Sequence, residues 1–360
     1  IQEYPEIVTL IKALVEDGRF SFAFSGSMLG TEFKGISSFP VGYVERIVMR
    51  PLDFEEFCWA VGVSEHALGT VRTCLDERKP VEDYIHQAML KNYRAYMVSG
   101  GMPEVVQDYI DSRYSLIRTR SLQEDLVSQY RTDIGKYAGS RAFAVRAIFD
   151  RLPLELEGKS HRFVLSSIKP GARMEHYEED FLWLVNAGAG IVVPRATEAK
   201  TPLKRTEVAS SFKLYESDTG MLVSRYPQVT ARSVYLGRRA QNLGGVYENV
   251  VAQELTAQSI PAWYYYTSEH GEVDFLIEVK GGRALPLEVK SGAKVRSHAA
   301  LDRLMGAGGA KMSEAVVLSQ ENLFREGNVT YLPIYMTFCL SMLCEDDGAN
   351  DEFVFAPVQV

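Results

Sequence analysis

A strand–turn–strand pattern in the last third of the chain constrains the fold more than any other feature. Residues 273–280 (Val-Asp-Phe-Leu-Ile-Glu-Val-Lys) and 284–290 (Ala-Leu-Pro-Leu-Glu-Val-Lys) are strand-like, and Gly281-Gly282 between them is a hairpin signal. A turn centred on those glycines sets Asp274 opposite Lys290 and Leu276 opposite Glu288. Side chains of a strand alternate between its two faces, so Asp274, Glu288 and Lys290, all at even positions, share one face. A slip of one residue would break the group. Glu248 lies in Tyr-Glu-Asn-Val-Val-Ala-Gln-Glu-Leu, where Val250, Val251 and Leu255 suit a helix packed on that sheet.

Two carboxylates and a lysine on one face have a definite chemical use. Mg²⁺ prefers oxygen ligands, keeps several waters and is usually held by one or two carboxylates together with phosphate oxygens. Such an ion can activate water and neutralise charge in phosphodiester cleavage. The stretch resembles the core of PD-(D/E)xK nucleases. The resemblance implies Asp274 and Glu288 as ligands of Mg²⁺ or Mn²⁺, and Lys290 as the group that holds the attacking water or the scissile phosphate. Glu248 would be an accessory ligand or base. The bland alternative is an amphipathic hairpin with surface ion pairs. Glu278-Val279-Lys280 is a second Glu-x-Lys; because it runs into the turn, it is read as solvated.

Composition bounds the rest. At 360 residues two to four domains are expected, and 46% hydrophobic with 24% charged residues is a globular balance. There is no apolar run of about 18 residues, so no membrane span is expected. Cys58, Cys74, Cys339 and Cys344 form no CxxC pair, and the six histidines are scattered, which argues against a zinc site or a disulfide framework and for the cytoplasm. A net charge of −8 argues against coating nucleic acid through overall charge. No Gly-x-Gly-x-x-Gly follows a strand and no Ser-His-Asp spacing occurs, so a transferase or oxidoreductase has little support.

Along the chain, Ile7, Leu10, Ile11 and Leu14 mark an amphipathic helix, followed by a short apolar strand ending in Ser25-Gly26-Ser27. A helix-then-strand start suggests that the numbering begins inside a domain. Residues 52–135 read as mostly helical, with Asp53 and Ser64 as N-caps and a break at Gly100-Gly101. Three helices within 141–188 and two strands after them suggest a winged helix. Its third helix takes its buried face from Tyr177, Phe181, Leu182, Leu184 and Val185, and carries Glu175, Glu178, Glu179 and Asp180, which would face phosphates unfavourably. The wing carries Arg195, Lys200, Lys204 and Arg205 and could touch a backbone. A docking or spacer role for this region is the favoured alternative. The C-terminal Val-Phe-Ala-Pro-Val-Gln-Val could add an edge strand.

Ile-Gln-Glu-Tyr-Pro-Glu, the Ser-Gly-Ser strand, Gly-Gly-Met-Pro-Glu-Val-Val, Phe-Lys-Leu-Tyr-Glu-Ser-Asp-Thr-Gly and the Glu-x-Lys hairpin look like one set. They resemble the prokaryotic AAA-type ATP-binding proteins that carry a C-terminal PD-(D/E)xK-like domain of unknown function, over essentially the whole chain. The resemblance implies an α/β multidomain protein. It would comprise part of a P-loop ATPase core (residues 1–50), a helical lid (51–138), a winged helix (139–228) and a restriction-nuclease-like α/β domain (229–360). It places Ile1 just after the Walker B acids, so both Walker motifs and ATP binding are expected of a longer protein, and no ATP hydrolysis of these residues alone. Ser25 or Ser27 resembles a γ-phosphate sensor, and Arg46 a phosphate-sensing arginine; a polar turn and a structural arginine are the alternatives. Gly158-Lys159-Ser160 imitates the end of a P-loop, but Pro153 stands where the first glycine belongs. Two functions compete: an ATPase coupled to a metal-dependent nuclease acting on DNA, and a non-catalytic, ATP-controlled switch that docks DNA or protein. Assembly into an oligomer is compatible with either.

Overall fold

A computed structural model describes residues 7–26, 42–43, 45, 47–158, 160–168, 171–238, 243–307 and 312–344. The helices are α1 (Ile7–Asp17), α2 (Phe54–Ala60), α3 (Glu65–Asp76), α4 (Asp83–Ser99), α5 (Pro103–Asp111), α6 (Leu116–Tyr137), α7 (Ala142–Glu157), α8 (Glu178–Asn186), α9 (Thr219–Ser224), α10 (Gln228–Tyr235), α11 (Gly244–Ala257), α12 (Ala299–Ala307) and α13 (Ser341–Cys344). The strands are β1 (Gly190–Ala196), β2 (Glu207–Glu216), β3 (Ala262–Thr267), β4 (Gly271–Val279), β5 (Arg283–Val289), β6 (Ala315–Ser319), β7 (Phe324–Glu326) and β8 (Val329–Pro333). The fold is mixed α/β, with a helical region and one mixed sheet. The chain divides into two compact units, one of residues 1–52, 95–192 and 213–236, the other of 53–94, 193–212 and 237–360.

In the first unit α6 packs against α5, α7 and α9, and α7 against α8. Pro103 opens α5, where its missing N–H costs nothing. A buried clasp ties the ends of these helices together. The fully buried Asp218 carboxylate accepts the N–H groups of Gly101 (2.6 Å) and Met221 (2.8 Å), capping α9. Gly100, at φ +75°, has no room for a Cβ beside that carboxylate, and a Cβ on Gly101 would overlap the Leu52 carbonyl. Nearby, Arg225 Nη1 lies 2.6 Å from Glu216 Oε2, with both side chains buried, and the guanidinium stacks over Phe149.

In the second unit Asp53 and Ser64 cap α2 and α3 as expected. Asp53 forms a reciprocal capping box with Glu56, and Ser64 accepts the Ala67 N–H. The buried Glu254 of α11 accepts the Phe54 N–H at 3.0 Å, at the positive start of α2. The sheet runs β2-β1-β3-β4-β5-β6-β8-β7. β3, β4 and β5 form an antiparallel meander, while β5–β6 and β6–β8 are parallel. Phe275, Leu276 and Ile277 are all fully buried, as a strand covered on both faces requires. Leu301 and Leu304 of α12 join Val273, Leu276, Val317 and Tyr331 in one apolar cluster, and α11 packs on β5.

Several expectations need correction. The hairpin turn occupies residues 280–282, because Val279 pairs with Arg283; Leu276 therefore faces Pro286, not Glu288. The register moves by two positions, which preserves the even-numbered face. Glu278 is not a solvated turn residue: its Oε1 accepts the Leu203 N–H at 2.5 Å. Leu182, expected on the buried face of α8, is 58% exposed, whereas Asp180 is fully buried and receives Arg141 Nε at 2.8 Å. The second helix expected before α8 is only a 3₁₀ turn at Leu165–Ser167. Of the basic wing, Arg195 donates to the Tyr266 carbonyl (3.0 Å), and Lys200 and Lys204 pair with Glu198 and Glu207. The expected C-terminal edge strand lies outside the described residues.

Candidate functional site

The candidate site is built on the β4–β5 hairpin. The pairing of Phe275 with Leu287 carries Asp274, one residue further along, to the level of Glu288. Residues directly opposite across an antiparallel pair present their side chains on the same face. Asp274 Oδ2 accepts the Val289 N–H at 2.8 Å, which anchors the carboxylate on the neighbouring strand. Lys290 Nζ lies 2.7 Å from Glu288 Oε1, with the side chains 22% and 11% exposed. The Lys290 N–H donates to the Leu318 carbonyl of β6 at 2.8 Å, which fixes the root of that side chain. Asp274 and Glu288 thus stand level on adjacent strands, and the Lys290 ammonium pairs with Glu288.

Glu248 is 5% exposed on α11, the helix that packs on β5. Among the described residues no group of three or more His, Cys, Asp or Glu could hold a metal. The carboxylates of Asp274 and Glu288 are hard oxygen donors, the ligand type that a Mg²⁺-like ion takes before completing its shell with water. They do not form a three-ligand cage. Partial burial weakens solvent screening, so the Lys290–Glu288 attraction exceeds that of a surface pair.

Sequence reasoning named the charged side chains but missed the backbone group that holds one of them. The Val289 N–H carries no signal of its own and becomes visible only once the register is known. The nucleotide-sensing positions fare differently. Ser25 is exposed in residues 20–26, which form no strand, contrary to the expected one, and Ser27 and Arg46 lie outside the described residues.

Comparison with known families places these features in context. Residues 1–58 match the AAA domain family, residues 90–230 match a domain of unknown function (DUF8612), and residues 243–336 match another domain of unknown function (DUF4143). Glu248, Asp274, Glu288 and Lys290 all fall within the last span. No curated protein and no solved structure matches the chain. The AAA and DUF4143 matches point to an AAA-type, ATPase-like protein, and the AAA match to nucleotide binding at a coarse level. Among the described residues no helix is long and apolar enough to cross a membrane.

Proposed function

We propose that this chain is part of an ATP-dependent AAA-type protein whose C-terminal α/β domain, of PD-(D/E)xK type, is a metal-dependent nuclease directed at DNA. The observation that carries the reading is the level placement of Asp274 and Glu288 on adjacent strands, with the Lys290 ammonium 2.7 Å from Glu288. Asp274 and Glu288 would hold the ion, and Glu248 would serve as an accessory group. When bound, the ion supplies an activated water and charge neutralisation at the phosphate. The chain's own contribution is orientation. The Val289 N–H aims Asp274, and Lys290 offers a cation that can leave Glu288 for a phosphate oxygen. Residues 1–58 would belong to the ATPase core, with Ser25, Ser27 and Arg46 near the γ-phosphate. The region 139–228 would act as a winged helix that docks a protein partner, because the acids at the start of α8 disfavour phosphate.

Incubating the purified protein with single- and double-stranded DNA in Mg²⁺, in Mn²⁺ and in chelator tests the reading. Cleavage that needs the metal and disappears in Glu288→Gln is expected. Cleavage by Glu288→Gln at the wild-type rate removes the assignment.

A second reading has an observation of its own. The Lys290–Glu288 ion pair already balances one carboxylate, and among the described residues no group of three or more His, Cys, Asp or Glu is placed to hold a metal. A nuclease-like fold used only for docking would show no metal-dependent cleavage and a DNA affinity unchanged by Asp274→Ala.

A further inference from the structure

Gln320 directly follows β6 and is buried. Two residues before it, Leu318 pairs with Val289, and its carbonyl accepts the Lys290 N–H at 2.8 Å. The end of β6 therefore fixes the backbone between Glu288 and Lys290. The Gln320 side chain reaches a second element of the site. Its Nε2 donates to the Tyr247 hydroxyl at 2.9 Å, and the buried Tyr247 immediately precedes Glu248 on α11. One amide thus links the strand end beside Lys290 to the helix that carries Glu248.

That amide is oriented by a side chain from α4. Arg94 Nη2 donates to Gln320 Oε1 at 2.5 Å. A guanidinium has donors and no acceptor, so it holds the amide oxygen towards itself and leaves the amide NH₂ for Tyr247. The charged donor places this bond among the stronger kind. The guanidinium packs so closely on the backbone of Gly237 that a Cβ there would overlap it. Arg94 stands outside residues 243–336, the span matched to DUF4143, yet it belongs to the same compact unit as the hairpin.

We propose, resting on the metal-site reading of Asp274 and Glu288, that Arg94 is a positioning residue for the hairpin site. It sets the Gln320 amide, and through that amide the placement of the Glu248 helix against the strand end at Lys290. Groups behind the residues of a metal site orient them, and their loss typically costs about 10–100-fold in metal affinity or activity.

Titration of Mn²⁺ into the 360-residue chain, read by the free-ion electron paramagnetic resonance signal, tests this in Arg94→Met, Tyr247→Phe and their double variant. Thr337→Val is the control, because the Thr337 hydroxyl holds Tyr93 of the same helix at 2.9 Å. Arg94→Met and Tyr247→Phe should each weaken Mn²⁺ binding by about tenfold. The double variant should lose no more than either single one, since both act through one amide. Thr337→Val should lower the melting temperature and leave Mn²⁺ affinity unchanged. Should Arg94→Met fail to fold, Tyr247→Phe, which removes a single hydroxyl, carries the test. Wild-type affinity in either variant, or an equal loss in Thr337→Val, overturns the role of Arg94 alone. No saturable uptake by the wild type removes the metal-site reading and this role with it.

Discussion

Lys290 Nζ and Glu288 Oε1 lie 2.7 Å apart on the last turn-distal residues of the β4–β5 hairpin, with Glu288 8% exposed. Removing the cation leaves a nearly buried carboxylate without the Lys290 counter-charge. Lys290→Met should cost about 1–3 kcal/mol, below the value for a fully buried pair because the lysine is partly solvated. Glu288→Gln added to Lys290→Met should recover part of the loss. Urea denaturation of the four proteins measures this coupling; strictly additive losses would mean that the two groups do not interact.

The two Glu-x-Lys sequences should separate cleanly by experiment. Glu278 accepts the Leu203 N–H and ties the 197–206 connection to β4. Glu278→Ala should lower stability by about 1–2 kcal/mol through the orphaned N–H, and it should leave metal-dependent chemistry unchanged. Loss of that chemistry without loss of stability would assign the wrong Glu-x-Lys to the site.

The buried Glu216–Arg225 pair predicts a pH dependence. Burial pushes the Glu216 carboxyl up to about 7, against the opposing pull of Arg225. A carboxyl raised in the folded state contributes its stability in full below its unfolded value of 4.5, and loses it as pH rises through about 7. The stability difference between wild type and Glu216→Gln should therefore shift against the wild type by about 2–3 kcal/mol between pH 4 and pH 8. Asp218, raised to about 6 by burial, adds a slope of the same sign, and His86, lowered by burial, one of opposite sign; both are present in each protein. Chemical denaturation across that range gives the difference directly, and a constant difference would contradict the shift.

Local patterns carried the hairpin and the caps, while distant contacts were silent. Alternation and Gly281-Gly282 located β4 and β5, but glycines do not state how many residues a turn uses. The turn takes residues 280–282, so Asp274 meets Glu288 instead of Lys290. Parity survived the shift because it was even, which is why the candidate face could be read from letters. Glu278 looked solvated because its partner Leu203 is 75 residues away in sequence. Gly100-Gly101 was legible as a break between helices. Its reason, a fully buried Asp218 that leaves no room for a side chain, requires the fold. Asp180 misled for the same cause: an acid on a helix reads as surface until its arginine is placed beside it.

Titration of Mn²⁺ into the protein, followed by the loss of free-ion electron paramagnetic resonance signal, reads metal binding at the hairpin without relying on cleavage. The Asp274–Glu288 pair predicts one saturable ion per chain, weakened by about tenfold or more in Asp274→Asn and in Glu288→Gln. It also predicts no change in Glu278→Gln. Absence of saturable Mn²⁺ binding by the wild-type protein, or equal binding in all three variants, would contradict a metal site on this hairpin.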